Sequence, residues 1–159
     1  MAFSEEYIGA LREAHRIMGE GTDPICEQAL STGLCEGCCG GSVMLIPGEE
    51  EILDVADRVD VVRGEFKCCF DEGLCALGDG KPLGCKLGPL VSHLAGGDFM
   101  YSEEPLDVHE AFLPHGHWCG ASFAFSADFR AKVSRVVDLL EVAGVWKRDG
   151  LFLRLNNVV

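Results

Sequence analysis

The chain has 159 residues, 48% hydrophobic and 25% charged, proportions ordinary for one globular domain large enough to bury a core. Its 13 basic and 26 acidic residues leave a formal charge of −13, which argues against nucleic acid or an anionic membrane as partner, since both need clustered Lys and Arg. The N-terminal stretch MAFSEEYIGALREAHRIMGE has early acids and no apolar signal region, and no apolar run is long enough to cross a bilayer, so a cytoplasmic protein is expected.

In chain order, Ser4 is placed to N-cap a first helix, with Phe3 and Ile8 at the N′ and N4 positions of a hydrophobic staple. Tyr7, Ile8, Leu11, His15 and Met18 then share one helical face. Asp23-Pro24 opens a short helix through about Leu30. A glycine-cysteine loop follows, G-L-C-E-G-C-C-G-G-S-V over residues 33–43, and Ser42 to Ile46 is an apolar run that fits a buried strand. After Pro47, GEEEILDVADRV predicts a helix with acids in its first turn and a stripe of Ile52, Val55, Ala56 and Val59. FKCCF, residues 66–70, predicts a strand, and Ala76-Leu77 a second short one, while residues 78–105 are rich in glycine and proline and read as irregular. Ala127 to Ala143 is the clearest helix, capped by Ser126, ended by Gly144, with Phe129, Val133, Val136, Val137 and Leu140 on one face. Asp149-Gly150 between apolar arms signals a hairpin. The expected fold is a small single α+β domain. It has a mainly helical frame, short strands, an irregular cysteine-rich metal-binding middle, and a C-terminal helix and hairpin over residues 126–155.

Eight of the nine cysteines lie between Cys26 and Cys85. An odd count in a cytoplasmic chain speaks against a disulfide framework. Cys35-x2-Cys38 has the spacing that lets two thiolates of a tight loop meet one tetrahedral ion, with Zn–S near ~2.3 Å, and glycines at 37, 40 and 41 let the backbone fold around it. The same spacing also suits a redox pair, but the further cysteines are company such a pair does not need. Cys38 and Cys39 are neighbours, with Cα atoms ~3.8 Å apart, closer than the ~4.4–6.8 Å of most disulfides. Either one is a ligand and the other core, or they serve different ions, or a tight turn brings both to one cluster. In FKCCF, strand alternation sets Cys68 between Phe66 and Phe70 on a core face and leaves Cys69 as the better ligand candidate. Downstream, LPHGHWCG holds His115, His117 and Cys119, which project to one side of an extended chain.

From about residue 26 to 90 the chain resembles the YkgJ-like cysteine-cluster family of zinc- or iron-chelating domains. The resemblance rests on CEGCCGGSVMLIPGEEEIL, on CFDEGLCAL from Cys69, and on CALGDGKPLGCKLGPL, with Lys81-Pro82 before the last cysteine. It implies Cys35, Cys38, Cys39, Cys69, Cys75 and Cys85 as metal ligands and leaves out Cys68; Cys119 matches a late family cysteine less securely. The family commonly has a further cysteine three or four residues before the first of these, where this chain has Ser31 and Thr32; Cys26 is the nearest substitute.

The expected function is metal binding, with zinc, or alternatively iron or an iron–sulfur cluster, held by clustered thiolates. A closed four-thiolate zinc site is structural, and the candidate sulfurs exceed one such site. The alternatives are a metal- or iron–sulfur-dependent enzyme, methylase-like by distant resemblance, and a thiol redox or metal-trafficking protein. No catalytic constellation is identifiable in the sequence, and neither is a protein partner.

Overall fold

A computed structural model describes residues 2–19, 42–53, 59–60, 65–67, 70–71, 74–75, 80–88, 90–93, 98–101 and 126–156. The first helix, α1, spans Glu5–Met18; the Ser4 hydroxyl accepts the Tyr7 N–H at 3.1 Å, Glu5 and Glu6 occupy the first turn, and Gly19 N–H closes the end on His15 O at 2.9 Å. The helix buries Tyr7, Ile8, Ala10, Leu11, Ala14 and Met18. Phe3 stacks its ring on Tyr7, with centroids 4.8 Å apart, so the ring contact at the entry falls on N3, one position before the expected staple partner Ile8.

Ala127–Val142 forms the long C-terminal helix, which packs along α1. Ser126 caps it by accepting the Phe129 N–H at 3.1 Å, and Phe129, Val133, Val136, Val137 and Leu140 are its buried stripe, as the sequence periodicity predicts. Two short helices of the middle are a 3-10 turn over Glu49–Glu51 and a single α-turn, α2, over Leu83–Lys86; the C-terminal helix is therefore α3.

The largest sheet has four antiparallel strands. They are β6 (Val91–His93), β7 (Phe99–Tyr101), β8 (Trp146–Asp149) and β9 (Phe152–Leu155), in the order β6-β7-β9-β8. β8 and β9 form the expected hairpin; Asp149 pairs with Phe152, so the two-residue turn is Gly150-Leu151, with Gly150 at φ 60°. Trp146 is buried between this sheet and α3, its indole N–H donating to Val137 O at 3.1 Å and its ring 5.8 Å from Phe99. Among the described residues, five earlier strands are short. β1 (Ser42–Met44), β3 (Glu65–Lys67) and β2 (Val59–Asp60) make a three-stranded antiparallel sheet in that order, and β4 (Phe70–Asp71) pairs with β5 (Leu74–Cys75). One apolar core joins α1, α2, α3 and the four-stranded sheet, so the chain is an α+β fold.

Two expectations for the middle are corrected. Of the helix expected after Pro47, the described residues hold a 3-10 turn over Glu49–Glu51 followed by Leu53 N–H on Glu49 O at 2.9 Å; residues 54–58 lie outside them, and Val59, expected in the helical stripe, pairs with Phe66 in the sheet. Two of its acids turn back onto preceding backbone, Glu49 to Ile46 N–H at 2.7 Å and Glu50 to Gly48 N–H at 2.9 Å, and β-branched Val59 suits a pleated strand better than a helix. Phe66 and Phe70 do not share one strand, since the first lies in β3 and the second in β4 of a different sheet. Leu74–Cys75 form a short strand, and the strand expected at Ala76-Leu77 lies outside the described residues.

Residues 78–105 also contain more order than their glycines and prolines suggest. Pro82 stands at the N-cap of α2, and the apolar segments around Val91 and Phe99–Tyr101 pair as β6 and β7. The short helix expected from Asp23 to Leu30 lies outside the described residues.

Candidate functional site

His15 lies within the apolar stripe of α1, where a ring with two polar nitrogens needs partners. Both come from the middle of the chain. His15 Nε2 is 2.9 Å from Glu49 Oε1, and Lys86 Nζ is 2.9 Å from His15 Nδ1. With the carboxylate ionised and the lysine an ammonium, the ring donates from Nε2 and accepts at Nδ1.

Glu49 is fully buried and takes two further donors, Leu83 N–H on Oε1 at 2.8 Å and Ile46 N–H on Oε2 at 2.7 Å. It therefore ties the exit of β1 to the first residue of α2. Lys86 is 1% exposed. One buried anion and one buried cation thus sit on opposite sides of an imidazole, and their attraction together with the hydrogen bonds offsets the cost of taking both from water.

The local sequence makes this arrangement reachable. Gly48, at φ 98°, lets the chain turn sharply after Pro47 and press against α1. The Tyr7 hydroxyl donates to Pro47 O at 2.7 Å, fixing the turn from the other side. Burial, reinforced by the negative charges of Glu50 and Glu49, pushes the Tyr7 phenol up to about 12.

A nucleophile, a base and an orienting carboxylate in hydrogen-bonded order is also the connectivity of covalent catalysis. Here the amine is enclosed, so no substrate reaches it in this conformation. The chain Lys86–His15–Glu49 is a buried tie between α1, the 3-10 turn and α2.

Of the cysteines expected as ligands, Cys85 lies in α2, half-buried and next to Lys86, and Cys75 lies in β5. Cys35, Cys38, Cys39, Cys69 and Cys119 lie outside the described residues, as do Cys26, Cys68, His115 and His117. Among the described residues no three His, Cys, Asp or Glu side chains are grouped to hold a metal ion, and no helix is long and apolar enough to cross a membrane.

The strand pairing nevertheless relates the cysteine-bearing segments to one another. Ser42, three residues after Cys39, pairs with Lys67, two residues before Cys69. Because the pairing is antiparallel, the two segments reach one end of the three-stranded sheet from opposite directions. Phe70, the residue after Cys69, pairs with Cys75, and α2 with Cys85 packs against β1.

The buried tie has no local signature in the sequence, because its members are 34 and 71 positions apart. The one available signal was His15 itself, a titratable ring on an apolar face. No family model, curated protein or solved structure matches this chain.

Proposed function

We propose that this chain is a metal-binding protein of the YkgJ-like kind, holding zinc, or alternatively iron, through thiolates of its cysteine-rich middle. The observation that carries the reading is the register of the short strands. Ser42, three residues after Cys39, is the cross-strand partner of Lys67, two residues before Cys69; Phe70 pairs with Cys75, and α2, which carries Cys85, packs against β1, and these neighbourhoods support a site shared among Cys35, Cys38, Cys39, Cys69, Cys75 and Cys85. A donor set made of soft sulfurs fits zinc or an iron–sulfur cluster and does not fit magnesium or calcium, which take oxygen. Bound there, the ion would cross-link the cysteine-bearing segments, and its binding free energy would become folding free energy. The same reading places the protein in the cytoplasm, where thiols stay reduced.

The test is elemental analysis by plasma mass spectrometry, with a visible spectrum, of protein purified without oxygen. Stoichiometric zinc in a colourless sample that loses structure on chelation is the expected result. Brown protein with iron and sulfide moves the assignment to a cluster. Protein that carries no metal and takes up none on reconstitution overturns the reading. Cys75→Ser and Cys85→Ser are expected to lower the metal content.

A further inference from the structure

We infer that His15, Glu49 and Lys86 are positioning residues for Cys85, so that α1 belongs to the metal site although it supplies no ligand. The inference rests on the metal-binding reading above. Cys85 and Lys86 are consecutive in α2, a single turn in which successive side chains diverge by about 100°. Leu83, Lys86 and Leu87 point into the core, whereas Cys85 is half-buried.

Four residues of helix do not hold an orientation alone, because nucleating one turn is unfavourable without tertiary support. Glu49 fixes the start of this turn through Leu83 N–H at 2.8 Å, and His15 fixes its end through Lys86 Nζ at 2.9 Å. The same carboxylate joins both restraints, since His15 Nε2 also lies 2.9 Å from Glu49 Oε1. The rotation of α2 about its axis, and with it the direction of the Cys85 sulfur, is therefore set from α1. Hydrogen-bonded groups behind a ligand orient it in this way, and their removal typically costs about 10–100-fold in metal affinity.

The experiment uses the full chain loaded with Zn²⁺ against a competing chelator, and with Co²⁺, whose thiolate charge-transfer absorption reports how many sulfurs are bound. His15→Ala removes the bridge at a position whose side chain is 12% exposed, so that water can replace the ring. It is expected to weaken zinc binding about 10–100-fold and to reduce the cobalt band by the same share as Cys85→Ser. His15→Gln, whose amide offers an acceptor to Lys86 and N–H groups to Glu49, is expected to restore both.

The double variant Cys85→Ser/His15→Ala is expected to bind no more weakly than Cys85→Ser alone, because both act through one sulfur. Wild-type zinc affinity and cobalt spectrum in His15→Ala overturn the inference, and so does a double variant in which the two losses add. If alanine does not fold, His15→Asn, too short to span both partners, takes its place with the same outcomes. A Cys85→Ser protein with unchanged metal binding instead overturns Cys85 as a ligand, and this inference with it.

Discussion

Gly48 meets Tyr7 with no room for a side chain between them: a Cβ at position 48 would lie 3.0 Å from Tyr7 Cε1 and 3.2 Å from both Ile8 Cδ1 and Leu11 Cδ1. The backbone there has φ 98°, outside the range that L residues favour. Gly48→Ala thus combines backbone strain with overpacking and is expected to cost about 2–4 kcal/mol. Urea denaturation measures this; an alanine variant as stable as the wild type would mean that the turn does not dock on α1 as described.

Removing the charge of Glu49 is expected to cost about as much or more. Its carboxylate receives Ile46 N–H, Leu83 N–H and the His15 ring while excluded from water. Glu49→Gln turns one acceptor oxygen into a donor facing a donor and removes a buried negative charge that three donors point at, a loss of about 3–5 kcal/mol. Glu50→Gln is the control. Glu50 is exposed and accepts the Gly48 N–H at 2.9 Å, so a change within about 1 kcal/mol is expected. Thermal unfolding of the two variants side by side distinguishes a buried tie from a general effect of surface charge.

Tyr7 gives a stability change with a defined pH window. Its phenol is pushed from an ordinary value of 10.0 up to about 12, mainly by burial. A raised folded-state value means that folding favours the protonated form. The contribution is complete below pH 10.0 and is lost as the pH rises through about 12. The chain has two tyrosines, so the tyrosinate absorbance in native protein should show a late-titrating component that Tyr7→Phe removes. Tyr7→Phe should also flatten the fall in stability over this window. An equally steep fall in the variant would place its origin elsewhere.

The serine caps are each worth a smaller, separable amount. Ser126 accepts Phe129 N–H at 3.1 Å and Ser4 accepts Tyr7 N–H at 3.1 Å. Ser126→Ala is expected to lower stability by about 1 kcal/mol, and Ser126→Gly by only a few tenths, because glycine leaves the N-terminal N–H groups open to water. The alanine–glycine difference, read from denaturation midpoints, separates a lost cap from a lost side-chain contact.

The accuracy of the sequence reading followed the range of each signal. Ser126, the stripe from Phe129 to Leu140 and the Asp149-Gly150 turn act within a few residues of themselves, and α3 and the β8–β9 hairpin form where they indicate. At Val59 the helical period misled, since that residue pairs with Phe66 in a sheet, and two acids that suit a helical first turn also bond backward to Ile46 and Gly48 backbone. Among residues 78–105, glycines and prolines hid strands that exist by pairing, β7 with β9 across Phe99–Leu153. Glu49 was legible as an acid near a helix start, but its burial depends on a histidine 34 positions away and a helix start also 34 positions away. Of the metal site, the cysteine spacing was legible in the sequence. The pairing of Ser42 with Lys67, which makes residues near Cys39 and Cys69 cross-strand neighbours, was not.

The docking of the Pro47–Glu49 turn on α1 also settles a loop-closure cost in advance. Residues 20–41, 22 positions that include Cys26, Cys35, Cys38 and Cys39, leave α1 at one end and enter β1 at the other. Bringing together the ends of any chain segment of that length costs about 3 kcal/mol beyond a constant. Contacts that involve no cysteine, Tyr7 with Pro47 O and His15 with Glu49, already hold its two ends. With the closure met by those contacts, its cost does not fall on any interaction that the four cysteines of this segment make.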